Sequence, residues 1–455
     1  MVTPRKKPPM MSRAYRSHST VQLPVSLNPD KLPPIPFFQY KTTDFLFNLR
    51  ECSPEREFGE KSFNEQILKA WNGAKNKNVF NYNLNCMYKL LDGDFDLSVQ
   101  LNTERGTLRR KPMRFRSIKE PFSHLRWNFT KLLPDEILYK MRCLDKPYSE
   151  DVLDTTHIMA VNASPLERGH TLVIPSMNKC LPQVLNSTAI RLATDLMLLN
   201  EDENFHMLFN SLLGQASVNH LHLHGIIWPY DSDLINRRFE KLYENVYIIQ
   251  RPTWFISAIA FQLPSQEHFD NFVNNITKCV QFLTHENIAH NMYFSRAQPI
   301  RTDGDLKKED KERNLPQLVT AYLFPRTSLA GAKPPMNFNP AALELAGCLT
   351  AYTLRFFQSV TEQSALRVIE EEAVIDESLF SKLVLELELK FSGRKDWNES
   401  VPDLQQPLGE SLSTNELEEL VDSFQAVTSP SPLVRHHTSL TIEERNRRRS
   451  LRDSC

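Results

Sequence analysis

The chain has 455 residues, a net charge of −1 and 41% hydrophobic residues, which is enough for one large or two ordinary domains with a real core. The near-neutral charge gives no reason to expect nucleic acid or an acidic membrane surface as a partner, and no apolar run approaches the roughly 18 residues of a membrane span. The seven cysteines are scattered without a C-x-x-C pair, which indicates reduced thiols in a cytoplasmic protein rather than a disulfide framework or a zinc ribbon.

Both ends of the chain are predicted to be disordered. Residues 1–35 form a basic, proline-rich arm, in which the prolines interrupt any amphipathic helix and argue against a mitochondrial presequence. Residues 392–455 form a polar tail rich in Ser, Pro, Glu and Arg. The part of the chain expected to fold lies between this arm and this tail.

The first part of the foldable chain shows strands that flank a helix. Mixed alternation over residues 80–102 predicts the first strand, and residues 157–176 have the pattern of strand, loop and strand. Residues 187–202 carry apolar residues at helical spacing, and residues 206–228 again show two strands around a small polar turn. This order predicts an α+β fold in which antiparallel strands pack against a helix.

The second part repeats this order loosely. Residues 246–263 are strand-like, and residues 265–287 have the spacing of an amphipathic helix. Residues 291–297 and 318–326 have strand patterns, and the charged stretch TDGDLKKEDKERN between them is predicted to be a solvated surface loop.

Two further helices are predicted near the end of the foldable chain. The first covers residues 339–357, with Asn339 at the N-cap and Pro340 at the first helical position. The second covers residues 377–391.

Three histidines, His220, His222 and His224, occupy every second position of the segment HLHLHG. On a strand, residues two apart share a face, so the three imidazoles would project together while Leu221 and Leu223 face the core. Three functions fit this pattern: a polar surface, a metal site with imidazole ligands, and nucleophilic catalysis in which the middle histidine attacks phosphorus.

The residues before the triad favour the catalytic interpretation. Gly214, Gln215, Ala216 and Ser217 form a small polar turn that can present backbone N–H groups and a hydroxyl to an anion. Metal ligation has no need of such a turn. Phosphoryl or nucleotidyl transfer does, because negative charge develops on the non-bridging oxygens in the transition state.

Several blocks resemble the histidine-triad superfamily of nucleotidyl transferases and hydrolases. GQASVNHLHLHG is similar to its triad signature, and VNASPLERGHTLVIPS, about fifty residues upstream, is similar to its ribose-binding segment. QLNTERGTLRRKPMRFRSIKEPFSHLRWNFTK and FHMLFNSLLGQASVNHLHLHG resemble the GDP-hexose phosphorylase branch of that superfamily. The likeness covers roughly residues 40–390 and misses both tails.

The resemblance implies an architecture of two histidine-triad-like halves, each an antiparallel sheet with packed helices. The catalytic half would cover residues 36–240, and a degenerate copy without a triad would cover residues 241–391. No cofactor is implied. The scattered cysteines offer no obvious structural zinc site, so we expect no metal requirement.

The same resemblance implies roles for individual residues. His222 would be the nucleophile, while His220 and His224 would orient it and contact phosphate oxygens. The other residues expected to bind substrate or phosphate by this likeness are Asn162, Asn210, Gly214, Gln215 and Ser217.

Three further residues carry both a functional and a plain interpretation. His170 matches another histidine of the site, although a structural histidine that enters the following strand explains it too. Arg109 and Arg110 would hold the diphosphate or the incoming phosphate, and the alternative is a solvated basic loop.

The reaction that the resemblance implies is phosphorolysis, with a GDP-sugar and inorganic phosphate as partners. His224 stands where the plant pattern of the branch, which acts on GDP-L-galactose, has glutamine. That difference favours GDP-D-glucose, whose removal would limit its misincorporation in place of GDP-mannose. The alternatives are a GDP-L-galactose phosphorylase, a nucleotide hydrolase that uses water, and a binding module without catalysis.

Overall fold

A computed structural model describes residues 34–50, 62–110, 112–146, 156–302, 315–329 and 338–398, and every element below belongs to the unit Pro36–Cys455. Within these ranges the strands, in chain order, are β1 Phe37–Tyr40, β2 Met87–Leu90, β3 Ser98–Leu101, β4 Ile137–Cys143, β5 His157–Val161, β6 Thr171–Ile174, β7 Phe205–Asn210, β8 Leu223–Ile227, β9 Glu240–Tyr243, β10 Val246–Ile249, β11 Ala258–Leu263, β12 Ala289–Ala297, β13 Leu318–Arg326 and β14 Cys348–Ala351. The α-helices of the same ranges are α1 Phe63–Asn76, α2 Thr103–Leu108, α3 Ser187–Leu199, α4 Phe269–His285, α5 Ala342–Leu345, α6 Leu354–Ser359, α7 Glu362–Glu372 and α8 Glu377–Phe391.

Two groups of five antiparallel strands share one strand order. The large sheet has the order β1-β4-β5-β6-β8-β7-β12-β13-β11-β10-β9. Its first half is β4-β5-β6-β8-β7 and its second half, read from the opposite edge, is β9-β10-β11-β13-β12. In each half a long helix, α3 or α4, connects the third strand to the fourth. This repeated topology confirms the predicted α+β fold with two similar halves.

The two halves meet at their fourth strands, β7 and β12, which pair antiparallel with Asn210 opposite Asn291. The fifth strand of the first half, β8, continues from the histidine segment, whereas its counterpart β13 has the sequence LVTAYLFPR and is buried throughout. The second half therefore keeps the fold but has no histidine at the equivalent strand, as predicted.

The two faces of the sheet are covered by different elements. One face packs against α1, α3 and α4 in a core that includes Leu221 and Leu223. Burying a side chain of this size contributes roughly 1.5–3 kcal/mol, so the two leucines anchor the histidine segment to the sheet. The opposite face of the sheet, mainly over the strands of the second half, packs against the small sheet β14-β3-β2 and the helices α5 to α7. His224 lies on the face opposite to Leu223, because side chains alternate along β8.

The patterns over residues 157–176, 187–202, 265–287 and 377–391 are confirmed by β5 and β6, α3, α4 and α8. Residues 80–102, predicted to contain the first strand, contain two strands, β2 and β3, and the first strand, β1, lies before them. The predictions for residues 1–33, 303–314 and 399–455 lie outside the described residues.

The prediction of one helix over residues 339–357 is wrong. α5 is a single turn with Ala341 at its N-cap, and Gly347, at φ +91°, turns the chain away from the helix. The next residues form β14, which pairs parallel with β3, and α6 follows. Pairing with a strand that lies far away in the chain has overridden a local helical pattern.

The histidine segment is also not entirely strand. β8 begins only at Leu223, where its pairing with β6 starts at Val173, so His220 and His222 lie in the extended segment before it. Among the described residues, no helix has the length and apolar character needed to cross a membrane.

Candidate active site

His222 has one defined tautomer in this structure. Its ring is buried, and Nδ1 lies 2.8 Å from the carbonyl oxygen of His220. A carbonyl oxygen only accepts hydrogen bonds, so Nδ1 must carry the hydrogen and Nε2 must carry the lone pair. The nitrogen that is free to react is therefore Nε2.

The surroundings of His222 keep its imidazole neutral. Burial is the largest cause and lowers its pKa to about 4. The hydrogen bond to the His220 carbonyl opposes this shift, and the positive charge of Arg110, together with that of His220 once it is protonated at low pH, adds to it. The ring of Phe129 packs against it with ring centroids 4.8 Å apart. At neutral pH the lone pair on Nε2 is available.

His224 is oriented by a chain of hydrogen bonds through His170. The backbone N–H of Leu166 donates to Nδ1 of His170 at 2.9 Å, so His170 carries its hydrogen on Nε2. That nitrogen lies 3.0 Å from Nδ1 of His224 and donates to it. His224 therefore carries its own hydrogen on Nε2 and offers a neutral donor. Burial holds the pKa of both rings well below the usual histidine value.

Asn162 lies beside the same nitrogen of His170 that faces His224, and because both groups carry hydrogen this contact adds no hydrogen bond to the chain. Its Nδ2 lies 3.2 Å from Nε2 of His170, and its Oδ1 accepts the backbone N–H of Ser164 at 3.0 Å. The structure thus brings together His170, His224 and Asn162, three residues that the sequence places in the site.

His220 does not have the free ring that a phosphate ligand needs. Its Nδ1 accepts the backbone N–H of Phe129 at 3.1 Å, so its Nε2–H donates to the carbonyl oxygen of Met177 at 3.1 Å. The expectation that this ring contacts phosphate oxygens is therefore corrected. His220 acts on His222 through its backbone carbonyl group, while its ring fixes the local backbone.

Gln183 clamps the segment that contains the nucleophile. Its Oε1 accepts the backbone N–H of His222 at 2.9 Å, and its Nε2 donates to the carbonyl oxygens of His222 and Asn210 at 3.1 and 2.9 Å. The pairing of β7 with β8 ends at Leu208 opposite His224, and continuing this register by two residues places Asn210 opposite His222. The clamp thus holds the predicted ligand Asn210 beside the nucleophile.

The turn before the triad uses two of its backbone N–H groups internally. Those of Gly214 and Ala216 both donate to the carbonyl oxygen of Ser211, at 3.0 and 3.1 Å, so the expectation that they face an anion is corrected. Gln215, at φ +79°, has a buried Nε2 without a hydrogen-bond partner among the described residues. Its side-chain amide is a donor that a phosphate oxygen would satisfy.

The two arginines named from the sequence differ in position. Arg110 stacks on the Trp127 ring, with the guanidinium carbon 3.3 Å from the ring centroid, and its charge acts on His222. Burial lowers the pKa of Arg110 to about 10, which leaves it charged at neutral pH. Arg109 lies over the ring of Tyr352 at 5.3 Å.

Arg105 is a functional candidate that the sequence reasoning missed. Its Nη1 donates a hydrogen bond to the carbonyl oxygen of Ser164. Its positive charge lowers the pKa of both His170 and His224. Burial disfavours its charge, but Tyr82 and Tyr352 act against this and raise its pKa. Positive charge from Arg105 and Arg110 therefore acts on the histidines of the site, which suits a diphosphate. The only available signal was the basic character of the stretch TERGTLRR.

The described residues contain no group of three or more His, Cys, Asp or Glu side chains placed to hold a metal ion. What the arrangement offers chemically is a neutral nucleophilic nitrogen, neutral hydrogen-bond donors and fixed positive charge. These are the components of nucleotidyl transfer through a covalent intermediate.

Comparison with known families gives two matches, one for each half of the large sheet. A family model described as "GDPGP1-like, N-terminal domain" matches residues 62–226, and one described as "GDPGP1-like, C-terminal domain" matches residues 235–387. The chain belongs to the GDPGP1-like family. The gap between the two family matches, residues 227–234, begins at the last residue of β8 and ends before β9, where the first half of the sheet gives way to the second.

Curated relatives cover most of the chain. It is 52% identical to "GDP-D-glucose phosphorylase 1" of Caenorhabditis elegans, over 94% of this chain and 90% of that protein. It is 32% identical to the protein of the same name from Danio rerio, over 73% and 93%, and 23% identical to "GDP-L-galactose phosphorylase 1" of Arabidopsis thaliana, over 68% and 70%. Among solved structures, yeast Ap4A phosphorylase Apa2 in complex with AMP is similar at a TM-score of 0.49 and 13% identity, over 70% of this chain and 97% of that one.

Proposed function

We propose that this protein cleaves GDP-D-glucose with inorganic phosphate, giving GDP and glucose 1-phosphate, through a covalent guanylyl group on His222. The observation that carries the proposal is the 2.8 Å hydrogen bond from Nδ1 of His222 to the carbonyl oxygen of His220, because it leaves Nε2 as an unprotonated nucleophile. The choice of sugar nucleotide is supported by the 52% identity to a GDP-D-glucose phosphorylase over most of both chains.

In the first step, the lone pair on Nε2 of His222 forms a bond to the α-phosphorus of GDP-D-glucose. The bond from that phosphorus to the bridging oxygen breaks, and the oxygen leaves with its electron pair as part of glucose 1-phosphate. The imidazole becomes a positively charged phosphoramidate, and the His220 carbonyl oxygen, which accepts the Nδ1–H, stabilises that charge.

In the second step, an oxygen of inorganic phosphate attacks the same phosphorus. The P–N bond breaks, its electron pair returns to Nε2, and GDP is released with the histidine in its starting state. One displacement is thereby divided into two, with one product leaving before the second substrate reacts, which predicts ping-pong kinetics.

The other residues of the site would stabilise the negative charge on the phosphoryl oxygens. His224 donates from Nε2, and the amide groups of Asn210 and Gln215 add neutral donors. Arg105 and Arg110 supply positive charge for the second phosphoryl group and for the incoming phosphate.

The remaining predicted ligands would serve the nucleoside side and the acceptor. Asn162 would bind the ribose hydroxyls, and Ser217 a phosphate oxygen. The described cysteines are free thiols, which supports a cytoplasmic location. There the reaction would limit the misuse of GDP-glucose where GDP-mannose is needed.

A substrate panel tests the overall reaction. The purified protein is given GDP-D-glucose, GDP-mannose, GDP-L-galactose, UDP-glucose and ADP-glucose, each with and without inorganic phosphate, and hexose 1-phosphate is measured. We expect turnover that requires phosphate and is fastest with GDP-D-glucose. Preference for GDP-L-galactose, or fast release without phosphate, would replace the proposal by one of the alternative reactions.

Isotope exchange tests the covalent step. Labelled glucose 1-phosphate is mixed with GDP-D-glucose and enzyme in the absence of phosphate, and label is followed into GDP-D-glucose. We expect exchange in the parent protein and none in His222→Asn, which should still bind GDP. His285→Asn is the matched control, because the side chain of His285 is 60% exposed and distant from the triad in sequence. Exchange at the parent rate in His222→Asn rules out this nucleophile.

A further inference from the structure

A residue of the second half reaches into the site of the first half. Asn291, on β12, is fully buried, and its Nδ2 donates to Oδ1 of Asn210 at 2.6 Å and to the carbonyl oxygen of Gly214 at 2.7 Å. One amide group thus touches both the predicted phosphate ligand opposite His222 and the turn that precedes the triad.

Neighbours with a single hydrogen-bonding role fix the orientation of both amides. The backbone N–H of Ala342 can only donate, and it lies 2.9 Å from the Asn210 side chain, so the atom that faces it is Oδ1. In the same way, Nη1 of Arg326 can only donate and lies 3.3 Å from Oδ1 of Asn291. Since Oδ1 of Asn210 accepts two hydrogen bonds, Nδ2 is the group that Asn210 has left to offer a substrate.

Arg326 is a rigid cation within this network. It is buried on β13, and it donates to carbonyl oxygens of Pro340, Thr327 and Glu372, the last at 2.8 Å. Burial lowers its pKa to about 10, against the effect of Glu372 and Glu344, so it is charged at neutral pH. A guanidinium held by several carbonyl oxygens cannot turn, and it presents Nη1 to Asn291 in one direction.

The turn itself is held from the second half as well. The backbone N–H of Ser211 donates to the carbonyl oxygen of His290 at 3.1 Å, and the N–H of His290 donates to Oγ of Ser211 at 3.0 Å. The N–H of Leu329 donates to the carbonyl oxygen of Leu213 at 2.8 Å. The degenerate half therefore shapes the loop that carries the predicted anion ligands.

We propose that Asn291 and Arg326 are positioning residues for nucleotidyl transfer, which orient the Asn210 amide so that its Nδ2 donates to the phosphoryl group attacked by His222. This inference rests on the proposed function. It gives the second half a role in the reaction although that half has no triad.

The substitution Asn291→Asp replaces the Nδ2 donor, which Oδ1 of Asn210 and the carbonyl oxygen of Gly214 both use, by an acceptor. A carboxylate only accepts, so the Asn210 amide would turn to donate Nδ2 to it and would present Oδ1 to the phosphoryl oxygens. Loss of one donor to a developing oxyanion lowers kcat by about 100-fold to 1,000-fold. We expect kcat for GDP-D-glucose to fall by about 100-fold, with KM within about three-fold of the parent value, because the donor acts mainly in the transition state.

The matched control is Thr320→Val, which removes another buried hydrogen bond of the second half, from Nε2 of Gln262 to Oγ1 of Thr320 at 3.0 Å. That variant should keep the parent kcat even if its melting temperature falls. An Asn291→Asp variant with the parent kcat, or a Thr320→Val variant with an equal loss, would overturn the inference.

A double-mutant cycle separates positioning from folding. In an Asn210→Ala background there is no amide to orient, so Asn291→Asp should cost less than about three-fold in kcat. A loss as large as in the parent background contradicts the inference. If Asn291→Asp yields no folded protein, the same cycle with Asn291→Ala decides, with circular dichroism and GDP binding as checks of folding. A parent protein inactive on GDP-D-glucose would instead refute the proposed function.

Discussion

The imidazole of His222 is oriented by a neutral group, the carbonyl oxygen of His220. A carboxylate in that position would favour the charged imidazolium and raise the pKa of the ring. A carbonyl oxygen fixes the same tautomer with a weaker effect on the charge, and burial then dominates. The result suits a nucleophile, which must keep its lone pair, better than a general base, which must take up a proton.

The pH dependence of the first half-reaction follows from this environment. Because the pKa of His222 is lowered to about 4, the ring stays neutral as the pH falls from 8 to about 5, and nucleophilicity is lost only below that range. We expect kcat/KM for GDP-D-glucose, which in a ping-pong reaction reports the first step alone, to be flat between pH 8 and pH 5.5. An ordinary histidine with a pKa near 6.5 would give about a ten-fold loss at pH 5.5. Steady-state rates over this range, with the folded state checked at each pH, measure the difference.

Sequence identified the residues of the site that belong to one local pattern. The alternation of His220, His222 and His224 predicted that the imidazoles share a face, the small polar residues of the preceding turn favoured phosphate chemistry, and the family resemblance supplied the residue roles. Gln183 had no such signal, because it bonds to backbone groups 27 and 39 residues away and its type is common in loops. The tautomers, and hence the different tasks of the three histidines, follow from backbone contacts that only the folded chain makes.

At the scale of elements, the connection between β7 and β8 brings the anion ligands beside the nucleophile. Its tightest point is Gly214, where an added Cβ would lie 2.6 Å from Oγ of Ser211 and 3.1 Å from the carbonyl oxygen of His290. The Ser211 hydroxyl is held by the backbone N–H of His290, so it has little freedom to move away. Only glycine allows the turn to sit this close to β12.

We therefore expect Gly214→Ala to displace the turn and lower kcat/KM for GDP-D-glucose by more than ten-fold, together with a loss of stability of roughly 1–3 kcal/mol from overpacking. Gly73→Ala is the control, because Gly73 lies within α1 and no atom is within 4 Å of the added Cβ. Alanine there should raise stability by up to about 1 kcal/mol and leave the rate unchanged. Melting curves measure the stability of both variants, and initial rates measure their kcat/KM. Equal activity in the two variants would show that the turn tolerates the extra carbon, contrary to this prediction.

Elements with a strong local period were predictable from the sequence, and those formed by distant pairing were not. α3, α4 and α8 follow from apolar spacing, and Asn186 caps α3 as expected for its residue type. Residues 348–351 lie within the stretch 339–357, which was predicted to be a helix, but they pair with β3 and form a strand. Because the two paired strands lie about 250 positions apart, their pairing produces no periodic pattern of residues that either segment alone would show.

At the scale of the whole molecule, the two halves have the same strand order and meet at β7 and β12, yet only one half carries histidines at its fifth strand. In the second half, Tyr293, Tyr322 and Phe324 fill the corresponding face with an apolar core. The duplication thus provides one site and one supporting body, and the contacts of Asn291 cross the boundary between them.

The large number of buried neutral histidines makes the folded chain sensitive to acid. Outside the triad, burial lowers the pKa of His157 and His206 to about 3 and that of His290 to about 4. Above pH 6.5 these histidines are neutral in both the folded and the unfolded chain, so they do not make the stability depend on pH there. Between about pH 6.5 and pH 4 the unfolded chain takes up protons that the folded chain refuses, and stability falls as the pH falls, by at most roughly 3 kcal/mol for a shift like that of His290.

Three described carboxyl groups work in the opposite sense, because burial raises the pKa of Glu344 to about 7 and raises those of Glu167 and Glu362 as well, so the folded chain gains protons there as the pH falls. Since the histidines with lowered pKa, including those of the triad, outnumber these three groups, we expect the melting temperature to drop between pH 7.5 and pH 5, before carboxylates with lowered pKa values, such as Asp145, begin to titrate. His157→Asn removes one of these titrations and keeps an acceptor for the backbone N–H of Ser176, so this variant should lose less stability over the same interval than the parent does. A parent melting temperature that stays constant from pH 7.5 to pH 5 would mean that these histidines are protonated in the folded state, and the neutral form assigned to His222 on the same physical grounds would lose its support.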